Sequence, residues 1–218
     1  MSAAFVITVD GPAASGKGTI SSRLGAHFGL PVMDSGLLYR AVGMLLLRSG
    51  GDLDDADAAA AIAREVRLAD LEDESFRSRA AGEAASRVAA HATVRAALLE
   101  LQRRVARAPE GAILDGRDMG TVICPEAPAK LFVTARPEVR AERRWRQLQQ
   151  KGEQVGLEEV LEDIRRRDER DSSRDAAPMK PAADAVLLDT SDLTIEQAAD
   201  AARRITEAAR ARWVSTRG

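Results

Sequence analysis

The sequence is poor in residues that several function classes require. It holds one cysteine, Cys124, so neither an internal disulfide nor a CxxC zinc site can form. Two histidines, His27 and His91, are too few for a His-rich metal centre. Aromatic residues make up 3% of the chain, too few for a base-stacking platform on single strands. Neither sign of charge dominates: Lys+Arg number 32 against 34 Asp+Glu, without the basic excess of a nucleic-acid-binding domain. No apolar run approaches the roughly 18 residues of a membrane span. The stretch from Met1 to Asp10 has no basic segment before its apolar run, so it does not read as a signal peptide. A reducing, cytoplasmic setting is expected.

What is present describes an ordinary globular chain. Its 218 residues, 45% hydrophobic and 30% charged, suit one domain, or one with an inserted subdomain. Phe5–Val9 is short, apolar and β-branched and reads as a buried parallel strand. Further strands are expected at Pro31–Met33, Ala112–Leu114, Lys130–Thr134 and Ala185–Leu188. Helical patterns lie between them: Lys17–Phe28, Gly36–Arg48, 54–65, 83–107, Pro137–Lys151 and 157–170. The final helix opens on a Thr194/Gln197 capping box. Such alternation argues for a parallel sheet covered on both faces. The helical stretch over 54–107 is too long for a simple crossover and reads as an inserted lobe. Val66–Ala81 is charged and weakly patterned, and no element is assigned to it.

Four segments carry chemistry. Gly11-Pro12-Ala13-Ala14-Ser15-Gly16-Lys17-Gly18-Thr19 has the G-x-x-x-x-G-K spacing of a phosphate-binding loop between strand and helix. Glycines let the backbone aim N–H groups inward, and the helix N-terminus adds partial positive charge. Lys17 supplies a point charge, and Thr19 a hydroxyl for a magnesium ion. The hydroxyl sits one residue later than in switch GTPases, a G-K-G-T spacing closer to nucleoside monophosphate kinases. Asp34-Ser35-Gly36, with Arg40 one turn on, reads either as a second phosphate grip or as a plain N-cap with a surface arginine. Asp115-Gly-Arg117-Asp118 ends a strand where ligands bind in open parallel sheets. It reads as a phosphate and amino-group reader or as an Asx turn with a salt bridge. Arg167, Asp171 and Arg174 share one helical face, either as a site or as a solvated face of i,i+4 pairs. His27, His91, Cys124, Trp145 and Trp213 read as packing or surface residues.

These segments, with Ala84-Ala-Ser86-Arg-Val-Ala-Ala90 and Val94-Arg95, together resemble bacterial-type cytidylate kinase over nearly the whole chain. Asp115–Thr121 is the most specific part of the likeness. The resemblance implies the α/β P-loop nucleoside monophosphate kinase fold: a parallel five-stranded sheet flanked by helices, with an inserted nucleotide-binding lobe over about 54–107. A lid and Arg-rich segment would span about 140–175. It implies transfer of the γ-phosphoryl group of ATP to CMP or dCMP with Mg2+. By the same resemblance Ser35, Arg40 and Arg117 hold the acceptor phosphate, and Ser86, Arg95 and Asp118 read cytosine. Arg167, Asp171 and Arg174 reach the acceptor's sugar and phosphate side, and Arg143 and Arg144 close over the donor. Lys17, Arg117 and Arg174 are the expected catalytic set. Val66–Ala81 departs from the family in being shorter than its β-rich insert.

The competing readings are a P-loop kinase for UMP, AMP or a small metabolite, and a non-catalytic nucleotide-binding or switch protein. A GTPase switch needs Asn-Lys-x-Asp, and none of Lys17, Lys130, Lys151 or Lys180 stands in that context. No nucleic acid or membrane partner is expected, and no apolar stripe is left over, so a monomer is expected.

Overall fold

The computed structural model describes residues 4–216, so the first three residues of the N-terminal stretch lie outside it. Its centre is a five-stranded parallel sheet in the order β2-β3-β1-β4-β5. The strands are β1 (Val6–Asp10), β2 (Val32–Asp34), β3 (Ala112–Gly116), β4 (Ala129–Thr134) and β5 (Val186–Asp189). The three inner strands are near-continuous apolar runs because both faces are covered. The edge strands β2 and β5 are shorter and partly exposed. The inner register, Val9 against Asp115 and Leu131, ends β1 and β3 together, with β4 running two residues further.

Helices α1 (Lys17–Phe28) and α8 (Ile195–Ser215) cover one face with Ile20, Leu24, Ala198 and Ala202 against Ile7, Val9 and Val133. The capping box forms: Gln197 N–H donates to Thr194 Oγ1 and Thr194 N–H to Gln197 Oε1. The other face is covered by α2 (Ser35–Arg48), α3 (Ala56–Glu65), α4 (Arg79–Val88) and α5 (Ala92–Ala106). These helices share one apolar cluster with Leu114 and Met119, so the inserted stretch packs into the main core. Helices α6 (Pro137–Gln150) and α7 (Leu157–Ser173) form a hairpin with a small core of its own around Leu148, Val160 and Ile164.

The structure divides one helical stretch. Residues 83–107 are two helices, α4 and α5, separated at Ala89–His91. No breaker residue marks the joint. His91 takes an extended backbone at the start of α5, and its ring bonds the Leu53 carbonyl at 2.8 Å. A tertiary contact therefore overrides local helix preference. The unassigned stretch 66–81 holds two short 3-10 turns, Leu68–Glu72 and Glu74–Arg77, and seats the buried Phe76.

Candidate active site

The loop after β1 is shaped by steric demands that the sequence states directly. A Cβ at Gly11 would collide with the Val133 carbonyl of β4, and the residue has φ +141°, so only glycine fits. Gly16 is left-handed at φ +96° and opens α1. Ala14 is also left-handed, at φ 58°, a cost that an alanine bears where loop geometry requires it. The loop is clamped from outside. Thr190, after β5, donates to the Ser15 carbonyl at 2.9 Å. Arg140, buried in α6, donates to the carbonyls of Ala13 and Ala135 and forms a two-point pair with Asp168 of α7.

Lys17 folds back over the loop and donates to the Pro12 carbonyl at 2.7 Å. Burial and the nearby Arg117 push its ammonium down to about 7. Burial likewise pushes the Asp115 carboxyl up to about 6, against the pull of Lys17. Ser21 of α1 donates to Asp115 at 2.9 Å, so this strand-end acid is oriented from below.

Loop residues Ala13–Thr19 line a cleft of about 580 Å3, together with Asp34, Arg40, Asp115, Arg117, Arg143 and Arg167. Beside it is a second, smaller cavity of about 40 Å3, lined by Ser35, Ser86, Arg95, Asp118, Asp171 and Arg174. Arg117, Arg167 and Gly36 border both, so the two spaces meet at a pair of guanidinium groups.

The small cavity is a desolvated charge cluster. Arg95 pairs with Asp118, both buried, and its guanidinium lies 5.5 Å from the centre of the Tyr39 ring. Arg117 donates to Asp171 at 3.1 Å, and Arg167 and Arg174 each approach that carboxylate to 3.9 Å. One carboxylate thus faces three cations. Burial and the cationic neighbour Arg117 push Arg167 down to about 10. Ser86 Oγ, Arg167 Nε and one terminal nitrogen of Arg174 are buried with no hydrogen-bond partner. Such orphaned donors are costly unless a ligand takes them. Arg40 lies near, donating to the Phe76 carbonyl at 3.2 Å.

Most of the residues singled out from the sequence therefore converge on two adjoining cavities. Gly11, Pro12 and Arg144 line neither of them, and Arg143 is tethered. Gly11 and Pro12 underlie the loop rather than line the cleft. Arg143 lines the cleft with its guanidinium held by Thr190 Oγ1 and O. Arg144 borders neither cavity and sits near Glu153 and Arg79, while Arg146 and Gln147 take the place on the wall.

The cytidylate kinase family model matches residues 7–208. The chain belongs to the cytidylate kinase family. A cytidylate kinase from Caulobacter sp. (strain K31) is 63% identical over 215 residues, covering 99% of this chain and 100% of that protein. One from Xanthobacter autotrophicus is 62% identical over 207 residues, covering 95% and 99%. Among solved structures, a sugar kinase from Janibacter sp. HTCC2649 aligns at 15% identity with TM-score 0.50, covering 94% of this chain and 95% of that one. An uncharacterized protein from Eubacterium ventriosum aligns at 13% identity with TM-score 0.53, covering 93% and 98%. These last two likenesses are of fold. Arg140 and Thr190 are supporting residues that sequence reading missed, and Tyr39, inside the Asp34–Arg40 segment, was given no role by it. Lone side chains far apart in the chain carry no local pattern that would single them out.

Proposed function

We infer that the chain transfers the γ-phosphoryl group of ATP to CMP or dCMP, giving ADP and CDP or dCDP. The observation that carries this is the adjacency of the phosphate loop to a buried Ser86–Arg95–Asp118 cluster, joined by Arg117 and Arg167. A loop alone would say only that phosphate binds. Cytosine offers an exocyclic amino donor beside ring acceptors. Asp118 is placed to accept from the amino group, while Arg95 and Ser86 donate to the ring. Uracil turns a carbonyl toward the same carboxylate and is disfavoured.

The chemistry needs no general base, because the attacking oxygen belongs to the acceptor phosphate and is already anionic. It attacks the γ-phosphorus, the bond to the bridging oxygen breaks, and ADP leaves with that oxygen. The obstacle is bringing two polyanions together. Lys17, the loop N–H groups, Arg117, Arg167 and Arg174 neutralise and align them. Ser35 and Arg40 hold the acceptor phosphate, Asp171 orients its three arginines, and Gly11–Thr19 with Arg143 hold the donor; Arg144 completes the lid around it. We read residues 54–107 as the acceptor-binding lobe and 140–175 as the lid, whose closure excludes water and suppresses ATP hydrolysis.

Thr19, Asp34 and Asp115 line the large cleft and offer hard oxygen donors suited to Mg2+. Among the described residues no cluster of three or more acids, histidines or cysteines could hold a metal, so the nucleotide phosphates would complete its shell. Held by Thr19, Asp34 and Asp115 together with the nucleotide, the ion would supply positive charge to offset the donor phosphates. We read the enzyme as a cytoplasmic monomer; no helix among the described residues is long and apolar enough to cross a membrane.

An ADP-release assay with ATP, magnesium and each of CMP, dCMP, UMP, AMP and GMP tests the reading. CMP and dCMP are expected to exceed UMP in kcat/KM by roughly 10-fold or more, the scale of one mismatched buried polar contact. Equal turnover of UMP and CMP would overturn the base assignment.

A further inference from the structure

Asp10, the last residue of β1, takes no part in the mechanism above. It is 4% exposed and lies immediately before the phosphate loop. Yet its carboxylate turns toward β3 and the segment beyond it. Oδ1 accepts the Met119 N–H and Oδ2 the Gly120 N–H, each at 2.8 Å. Those amides open a short π-helical turn, Met119–Ile123, whose preceding residue is Asp118. The Asp118 carbonyl closes the turn by accepting from Val122 at 2.9 Å and Ile123 at 3.2 Å. Asp118 itself has an irregular backbone, φ −142° and ψ 21°, with no side-chain cap of its own.

This turn is crowded into place. A Cβ on Gly120 would meet Thr8 Oγ1 at 2.8 Å and Asp10 Oδ2 at 3.3 Å, so glycine lets the backbone approach β1 closely enough to be gripped. Burial disfavours a charge at Asp10 against the pull of the two amides, and the nearby acids Asp118 and Asp115 add to the opposition. A carboxylate is kept here against that opposition. A carboxylate gives each of two consecutive amides an oxygen of its own, whereas a hydroxyl or an amide side chain offers one accepting oxygen.

We propose that Asp10 is a positioning residue for cytosine recognition: by gripping the Met119 and Gly120 amides it fixes Asp118 where it meets Arg95 and the base. The proposal rests on the CMP reading above and adds a residue that touches neither nucleotide.

The test compares wild type with Asp10→Asn, in which an NH2 replaces one acceptor and confronts an N–H. Steady-state kinetics are measured with CMP, UMP and ATP varied in turn. The expected result is a KM for CMP raised roughly 10-fold, the scale of a lost buried charge-assisted hydrogen bond, with a lower CMP-to-UMP ratio. The KM for ATP should move less than about twofold. In an Asp118→Ala background the same change should leave the CMP-to-UMP ratio where Asp118→Ala already put it. A KM increase confined to ATP, or an unchanged ratio in an otherwise CMP-selective enzyme, overturns the proposal and makes Asp10 a support of the phosphate loop. A wild type that does not prefer CMP to UMP removes the base reading itself, a separate outcome. If Asp10→Asn does not fold, wild-type amide resonances decide. Met119 and Gly120 should shift on adding CMP and stay still on adding a non-hydrolysable ATP analogue; the reverse pattern sinks the idea.

Discussion

At the residue scale the decisive feature is that the cleft holds its ionisable groups in uncomfortable states until phosphate arrives. Lys17 is held down to about 7 by burial, against an ordinary 10.5. At pH 8 the empty enzyme therefore carries it mostly neutral, and an adjoining polyphosphate restores the charge. ATP binding at pH 8 is expected to take up close to one proton, read by calorimetry in buffers of different ionisation enthalpy. In Lys17→Met the uptake should vanish; persistence there would show that another group takes the proton. Legibility at this scale follows sequence locality. Gly11, Gly16 and Lys17 stand in one run whose spacing has a single mechanical use, and Asp118 and Arg174 fall within short motifs. Thr190, Arg140 and Tyr39 act through contacts that span much of the chain, such as Thr190 with Ser15, and a linear reading has no handle on them.

Among the elements, α4 and α7 matter most, because both line the smaller cavity and are laced together by ion pairs. Arg170 of α7 holds Glu83 of α4 through two bonds at 2.6 and 2.8 Å. Arg79 of α4 reaches Glu159 at 2.6 Å and also pairs with Asp163. A cavity of about 40 Å3 is far smaller than a nucleotide, so α4 and α7 are expected to part as one enters. The pairs are partly exposed, with Arg170 34% and Glu83 57% accessible, so each contributes at most about 1 kcal/mol. Arg170→Ala should speed CMP association about two- to fivefold at low salt, measured by stopped flow, with the gain fading as salt rises. An unchanged rate would mean that opening does not involve this pair. The expected helices themselves were legible from periodicity and capping residues. The joint at Ala89–His91 was not, because an alanine-rich stretch reads as helix wherever a distant carbonyl, here that of Leu53, does not intervene.

For the whole molecule, the sheet and its two faces follow from five short apolar runs spaced by helices, whereas strand order came only with the resemblance. Parallel crossovers leave no trace of order in a linear pattern. The assembled core also gives the empty protein a pH signature. Burial raises Asp10 to about 7 and Asp115 to about 6, against 3.8 in an unfolded chain. The folded state then binds extra protons between about pH 4 and 7, so this contribution is fully present at the acid end and lost as pH rises through 7. Melting of nucleotide-free protein should shift up by a few degrees, roughly, from pH 7.5 to 5.5. Asp10→Asn should gain less over that interval, and a wild-type midpoint that falls would contradict the burial of these acids. The scarcity of aromatic residues has one more consequence. Of the two tryptophans, Trp145 is built into the α6–α7 hairpin with its indole N–H on the Val155 carbonyl. Trp213 packs at the opposite end of the sheet, its ring 5.3 Å from that of Phe5 and tilted against it by 54°. The chain thus carries a native optical gauge: with Trp213→Phe, a single emitter remains on the hairpin, and its spectrum follows that segment as it moves, with no dye attached.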